Sequence, residues 1–207
     1  MQRIGIFGGT FDPIHYGHLV LAEGARYECG LDRVIFVPAA RPPHKEGESV
    51  LPGDYRYEMV SLAIEDNPYF EISPLELQRP GYSYTVDTIR WFLAKYPGVS
   101  LSFILGMDAL LEIKTWKEAA ELVRLCGFIA AVRPGYQVVE GDERLQGLPA
   151  EFWSNLHIIE VPGLDISSTD LRHRFATGKP VRYLLPPVVE AYIRRQNLYR
   201  GDNVAGE

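Results

Sequence analysis

The sequence predicts an α/β fold, a doubly wound parallel sheet with a small C-terminal helical cap, and three observations carry that prediction. Short β-rich runs alternate with helical patterns along the chain, as a parallel sheet with crossover helices requires. Several of those runs end in glycines, acids or basic loops, at the carboxyl edge where open α/β sheets hold ligands. The chain has 207 residues, 46% of them hydrophobic and 23% charged, enough for one substantial core with a small appendage. We read residues 1–185 as the α/β domain, 186–200 as a helix packed on it and 201–207 as a flexible tail.

The first strand is expected at 4–7, because Ile4-Gly5-Ile6-Phe7 is an apolar run too short for a helix. Gly8 and Gly9 fall at its end, where absent side chains let a ligand approach the backbone. Beyond Pro13, residues 17–27 carry Leu19, Ala22, Ala25 and Arg26 at helical spacing, which places His18 in a first helical turn. Helix N-termini favour anions. His15 and His18, three residues apart, can face one bound group, and a phosphate suits them better than zinc, since no third ligand is spaced nearby. The plain alternative is a strand-to-helix turn with surface histidines.

A second strand is expected at 34–37, after which Pro38-Ala39-Ala40-Arg41-Pro42-Pro43-His44-Lys45 breaks regular structure. Arg41, His44 and Lys45 lie just past a strand's carboxyl end, and residues alone leave open whether this is a ligand loop or a solvated one. A helix follows at 54–65, with Arg56 and Met59 at helical spacing, then a strand at 70–73 running on towards Leu75-Glu76-Leu77. The stretch from Gly81 to Thr88 opens the next helix, with Ser83 or Thr85 as an N-cap. The fourth strand, 101–105, ends in Gly106-Met107-Asp108, where the carboxylate either binds ribose hydroxyls or caps a helix at 109–112. Trp116 can stack on a flat ring or fill the core.

The strand expected at 128–132 ends in Arg133, whose guanidinium suits bidentate phosphate binding. Residues 136–149 are charged and glycine-rich and read as a surface excursion. A last strand at 157–161 leads to Ile166-Ser167-Ser168-Thr169-Asp170-Leu171-Arg172. Its hydroxyls before a helix and its arginine one turn later form either a second anion site or a capping box beside an exposed arginine. Pro186 and Pro187 open a terminal helix, since proline is tolerated in a first turn.

The run from Gly8 to His18, Gly-Gly-Thr-Phe-Asp-Pro-Ile-His-Tyr-Gly-His, resembles the signature of the bacterial nicotinate-nucleotide adenylyltransferases, within the nucleotidyltransferase superfamily that shares an H-x-G-H core. Relatives with threonine for the first histidine act on phosphopantetheine, and the GGTFDP context points to the nicotinate branch. The resemblance extends from Gly5 to Tyr199 and implies a Rossmann-like fold. It implies that His15 and His18, with Arg172, are catalytic. ATP would be held by Gly8, Gly9, Thr10, Phe11, Gly106 and Asp108, with Ile166, Ser167, Ser168 and Thr169 around the triphosphate. His44 and Lys45, in the family's P-P-H-K, would face the mononucleotide phosphate, as would Arg133. Thr85 would lie against the nicotinate ring and its carboxylate, and Trp116 would stack on that ring. Lys117 stands where the family has another aromatic residue or a histidine.

The implied reaction joins ATP and nicotinate mononucleotide into deamido-NAD and pyrophosphate, with Mg2+ carried on the ATP phosphates and no protein metal site. A Rossmann dehydrogenase is disfavoured because the first turn is not G-x-G-x-x-G, and a P-loop enzyme because Gly178-Lys179 precedes a proline. The net charge of −6 argues against a general nucleic-acid binder, so phosphate affinity must be local. No run approaches the ~18 apolar residues of a membrane helix, and Asp12 and glycines interrupt any signal core. Two cysteines, Cys29 and Cys126, fit reduced core thiols and a cytoplasmic location. The expected partners are the two small-molecule substrates, with neither nucleic acid nor membrane, and a homo-oligomer is compatible with the sequence.

Overall fold

The computed structural model of the chain describes residues 1–41, 49–132 and 143–200. Within them, six strands form one sheet: β1 (Arg3–Gly9), β2 (Arg33–Pro38), β3 (Phe70–Ile72), β4 (Ser100–Gly106), β5 (Gly127–Val132) and β6 (Leu156–Glu160). Their order is β3-β2-β1-β4-β5-β6, and every neighbouring pair is parallel. The doubly wound parallel fold is therefore as the sequence predicts, and all six expected runs are strands with slightly shifted ends. Strand order reverses between β1 and β4, so a crevice opens at their carboxyl ends.

The strands alternate sides with period two, which sorts their apolar residues into two cores. On one face Phe7, Phe36, Ile104 and Ile129 meet helices α1 (Tyr16–Glu28), α2 (Gly53–Ile64), α8 (Ser168–Thr177) and α9 (Pro187–Arg195). On the other, Ile4, Ile6, Leu101, Phe103, Leu105 and Phe128 meet α4 (Thr85–Lys95), α5 (Met107–Leu111), α6 (Ala119–Leu125) and α7 (Ala150–Ser154). Helix α9 buries Val189, Tyr192 and Ile193 against the first core, so the terminal helix is part of that layer.

Three short helices escape the sequence reading. Leu75-Glu76-Leu77 alternates like a strand, yet Pro74 turns the chain and Gln78 N–H reaches the Pro74 carbonyl at 3.0 Å, closing one turn as α3 (Leu75–Gln78). Helices α6 and α7, of 7 and 5 residues, are too brief for a 3.6-residue period to register. Both cysteines are buried and free, and burial pushes the Cys126 thiol up to about 12.

Candidate active site

A cleft of about 1220 Å³ lies at the carboxyl ends of β1 and β4. That exceeds the ~300–1,000 Å³ usual for one small ligand, leaving room for two nucleotides. One side is walled by Gly8 to Phe11, by His15, Gly17 and His18, and by Ile166 to Thr169; the opposite side by Ser83 to Thr85 and by Trp116 and Lys117. Gly106 and Asp108 stand between them, after β4.

On the histidine side, His15 is the N-cap of α1 and His18 sits three residues into it. The His15 backbone N–H donates to His18 Nδ1 at 3.2 Å, which makes Nδ1 an acceptor. A neutral His18 then carries its proton on Nε2, the nitrogen left to donate elsewhere. The two imidazoles lie 3.8 Å apart, and the His15 ring folds over Gly17, where a Cβ would come within 3.0 Å of its Cε1 and Nδ1. That close approach explains the glycine between the histidines. Burial lowers the His15 pKa to about 4; burial and then His15 hold His18 well below the usual histidine value. Both rings are therefore neutral at pH 7, and among the described residues His15 Nδ1 is buried without a hydrogen-bond partner. The Tyr16 and His18 amides are committed to the Leu184 and His15 carbonyls, which shifts anion-binding capacity from the helix amides towards the imidazoles.

The turn between β1 and α1 is held from behind. Phe11 adopts a left-handed φ of 50° and turns its ring into the core, edge-on to Phe7 at 5.4 Å and to His18 at 5.1 Å. Such backbone costs a bulky residue ~1–2 kcal/mol, which burial of the ring offsets. The carbonyl of Thr10 accepts from Arg56 at 2.8 Å, that of Asp12 from Arg172 at 2.8 Å, and that of Pro13 from the Ser168 hydroxyl at 2.9 Å. The second motif thus docks on the first across more than 150 residues of sequence. Ser167 is the N-cap of α8, accepting from the Asp170 amide at 3.1 Å, but the Asp170 carboxylate turns forward to Arg174 and does not complete a capping box.

On the tryptophan side, neither Ser83 nor Thr85 caps α4; Tyr84 is the N-cap, without a side-chain bond. The Ser83 hydroxyl instead accepts from the Ala40 amide at 3.0 Å, joining the loop after β2 to the start of α4. Thr85, the first helical residue, lines the cleft. Trp116 meets Phe103 edge-to-face at 5.7 Å while also lining the cleft, so it serves core and wall together. Lys117 places its ammonium 4.6 Å from the Tyr84 ring centre and 3.0 Å from Asp87 Oδ2. A cation over an aromatic face here takes the place of the ring expected at this position. Asp108 is exposed on the cleft wall and does not cap α5, whose N-cap is Gly106.

The structure thus brings together Gly8, Gly9, Thr10, Phe11, His15, His18, Thr85, Gly106, Asp108, Trp116, Lys117 and the run from Ile166 to Thr169. Arg172 is adjacent but does not line the cleft, its guanidinium resting on Asp12 and on Thr169 Oγ1 at 3.2 Å. His44, Lys45 and Arg133 lie outside the described residues. The sequence reading missed Glu76, Phe103 and the segment from Val161 to Leu164, all on the wall. The last could have been found from its place after a strand's carboxyl end. Glu76 is buried, accepts from the Thr88 hydroxyl at 2.5 Å, and has its pKa raised by burial despite Thr88, Ser83 and Arg79. Among the described residues no three or more His, Cys, Asp or Glu side chains gather as a metal site, and no helix is long and apolar enough to cross a membrane.

The cytidylyltransferase-like family model matches residues 6–174. A probable nicotinate-nucleotide adenylyltransferase of Moorella thermoacetica is 56% identical over 96% of this chain and 92% of its own length. A second, from Desulfitobacterium hafniense strain Y51, is 54% identical over 96% of each chain. The nicotinic acid mononucleotide adenylyltransferase of Plasmodium falciparum, solved in complex with NaAD, shares the fold with a TM-score of 0.78 at 22% identity, over 96% of this chain and 98% of that one.

Proposed function

The chain belongs to the cytidylyltransferase-like family and, within it, to the nicotinate-nucleotide adenylyltransferases, and from that membership we propose how its cleft works. The enzyme transfers the adenylyl group of ATP to nicotinate mononucleotide, giving deamido-NAD and pyrophosphate, a step of NAD biosynthesis. An oxygen of the mononucleotide 5′-phosphate bonds to the α-phosphorus of ATP. The bond from that phosphorus to the bridging oxygen breaks, and pyrophosphate leaves with the electron pair. The attacking phosphate is already an anion, so catalysis is alignment and charge stabilisation, with no protein nucleophile.

The single observation that carries this reading is the neutral histidine pair, with His18 Nδ1 occupied by the His15 amide and Nε2 left to donate. In this reading His15 and His18 donate to the α- and β-phosphates as charge builds on them. Ser167, Ser168, Thr169 and Arg172 hold the β- and γ-phosphates, Arg172 moving part of its fork from Thr169 to the nucleotide. Gly8 to Phe11 and Ile166 give the backbone against which ATP lies, and Asp108 takes ribose hydroxyls. Thr85, Trp116 and Lys117 receive the nicotinate ring, with His44, Lys45 and Arg133 directed to the mononucleotide phosphate.

Magnesium enters as part of the ATP substrate, on phosphate oxygens and water. The donor set supports this, because His18 Nδ1 and both Asp12 carboxylate oxygens are already engaged within the protein. A cytoplasmic location belongs to the same proposal, supported by the two buried free thiols.

Pyrophosphate release from ATP and magnesium, measured with each acceptor in turn, tests the assignment. Strong turnover with nicotinate mononucleotide and much weaker turnover with the nicotinamide form are expected. Equal or greater turnover with phosphopantetheine would overturn it.

A further inference from the structure

We propose that Tyr199, near the far end of the chain, is a positioning residue for the ATP side of the cleft: through the Asp12 carboxylate it fixes the turn that carries His15 and anchors Arg172. The inference rests on reading the cleft as a site of adenylyl transfer, and it concerns residues that the signature motifs leave without a role.

The contact joins residues 187 positions apart: the Tyr199 hydroxyl donates to Asp12 Oδ1. Asp12 Oδ2 accepts from the Leu51 amide at 3.3 Å, so both carboxylate oxygens are engaged, and the residue is only 3% exposed. Tyr199 is itself buried, its ring packed beside Phe175 at 5.9 Å on α8. Arg56, 1% exposed, completes the arrangement, donating to the Leu51 carbonyl at 2.8 Å and to the Thr10 carbonyl at 2.8 Å. Asp12 thus reaches no substrate. Its side chain is a post to which Leu51, ahead of α2, and Tyr199 are tied.

What the post supports is catalytic geometry. The Asp12 carbonyl holds the Arg172 guanidinium, and the next carbonyl holds Ser168. Two residues further on stands His15. Removing the Tyr199 hydroxyl leaves a buried carboxylate short of a donor, a costly state that is relieved by turning towards a nearby cation. Arg56 and Arg172 are the cations whose charges act on Tyr199. A carboxylate drawn to Arg172 competes directly with triphosphate for the same fork. Acceptor binding, on the far wall, is not coupled to this post.

The test is steady-state kinetics with MgATP and nicotinate mononucleotide for the parent, Tyr199→Phe, Asp12→Asn and the double variant, with melting curves for each. We expect Tyr199→Phe to lower kcat/KM for ATP about tenfold, the size of a coupled network bond, while KM for nicotinate mononucleotide stays within about twofold. In the Asp12→Asn background the same change should cost less than about twofold, since an unpaired amide is cheaper to bury than an unpaired carboxylate. A lowered melting temperature with unchanged kinetic constants would reduce Tyr199 to a structural role, and equal losses in both backgrounds would show that the effect bypasses Asp12. A Tyr199→Phe chain that fails to fold while the double variant folds supports the proposal; failure of both overturns it. A parent without turnover would refute the reaction instead, and the post would then be judged by calorimetric ATP binding of parent and Tyr199→Phe, with equal affinities refuting it.

Discussion

On the histidine side of the cleft, where we propose that ATP binds, the carbonyls of Thr10, Asp12 and Pro13 are each taken by a side chain from another element, Arg56, Arg172 and Ser168, around a carboxylate that is 3% exposed. On the tryptophan side, proposed for the acceptor, Lys117, Asp87, Arg90 and Glu118 pair through side chains that are 32–42% exposed. Hydrogen bonds to charged groups, as those of Arg56 and Arg172 are, contribute ~1.5–3 kcal/mol each, whereas exposed ion pairs contribute ~0–1 kcal/mol. The difference teaches where geometric tolerance is small. The proposed in-line transfer at phosphorus is sensitive to a displaced donor, and the turn that carries His15 is held by side chains from other elements. In the proposed ring pocket the wall tolerates exchange, and Lys117 is such an exchange, answering Tyr84 and Asp87 in place of an aromatic neighbour.

Three measurements sharpen this contrast. The largest effect should come from His18→Ala, which removes a neutral donor held by the His15 amide. Turnover should fall ~10²- to 10³-fold with KM for either substrate changed far less. Turnover within a few-fold of the parent in a folded variant would remove His18 from the chemistry and erase the distinction between the halves.

Next in size is the pH dependence of stability, which the two halves should drive in opposite directions. The folded protein holds His15 near 4, below its ordinary 6.5, so between those values the unfolded chain binds more protons. The resulting stability is fully present above 6.5 and is lost as pH falls towards 4, by at most about 3 kcal/mol. Glu76 behaves oppositely: its folded pKa lies above 4.5, so its contribution is present at acid pH and lost as pH rises through that raised value. Melting temperatures from pH 4 to 8 should therefore show a shallower acid limb for His15→Asn. Glu76→Gln should gain on the parent as pH rises. Parallel curves for all three proteins would contradict both assignments.

The smallest effect belongs to Lys117→Ala. Loss of its ion pair with Asp87, at side chains 40% and 32% exposed, should leave stability within ~0.5 kcal/mol of the parent. KM for nicotinate mononucleotide should rise about two- to threefold, with kcat unchanged. A tenfold fall in kcat here would mean that the acceptor wall is as exacting as the ATP wall.

The sequence by itself determined what depends on local pattern. Apolar runs such as Ile4 to Phe7 mark strands because four residues can fill a strand and not a helix, and Gly8 and Gly9 at the end of that run mark a place for a ligand to approach the backbone. The family motifs named His15, His18, Thr85 and Trp116, and all four line one cleft. Chains of contact between distant residues were not legible. Arg56 reads in sequence as one more polar residue on a helix, Tyr199 as the last apolar residue before a tail, and Glu76 as one position in an alternating run. Only the tertiary structure decided that Arg56 holds the Thr10 carbonyl, that Tyr199 reaches the Asp12 carboxylate, that Arg172 rests on the Asp12 carbonyl, and that Glu76 lies buried beside Thr88. The physical reason is range: periodicity and capping act over a few residues, whereas a buried charge takes its partners from whichever elements the packing of the two layers brings within about 3 Å.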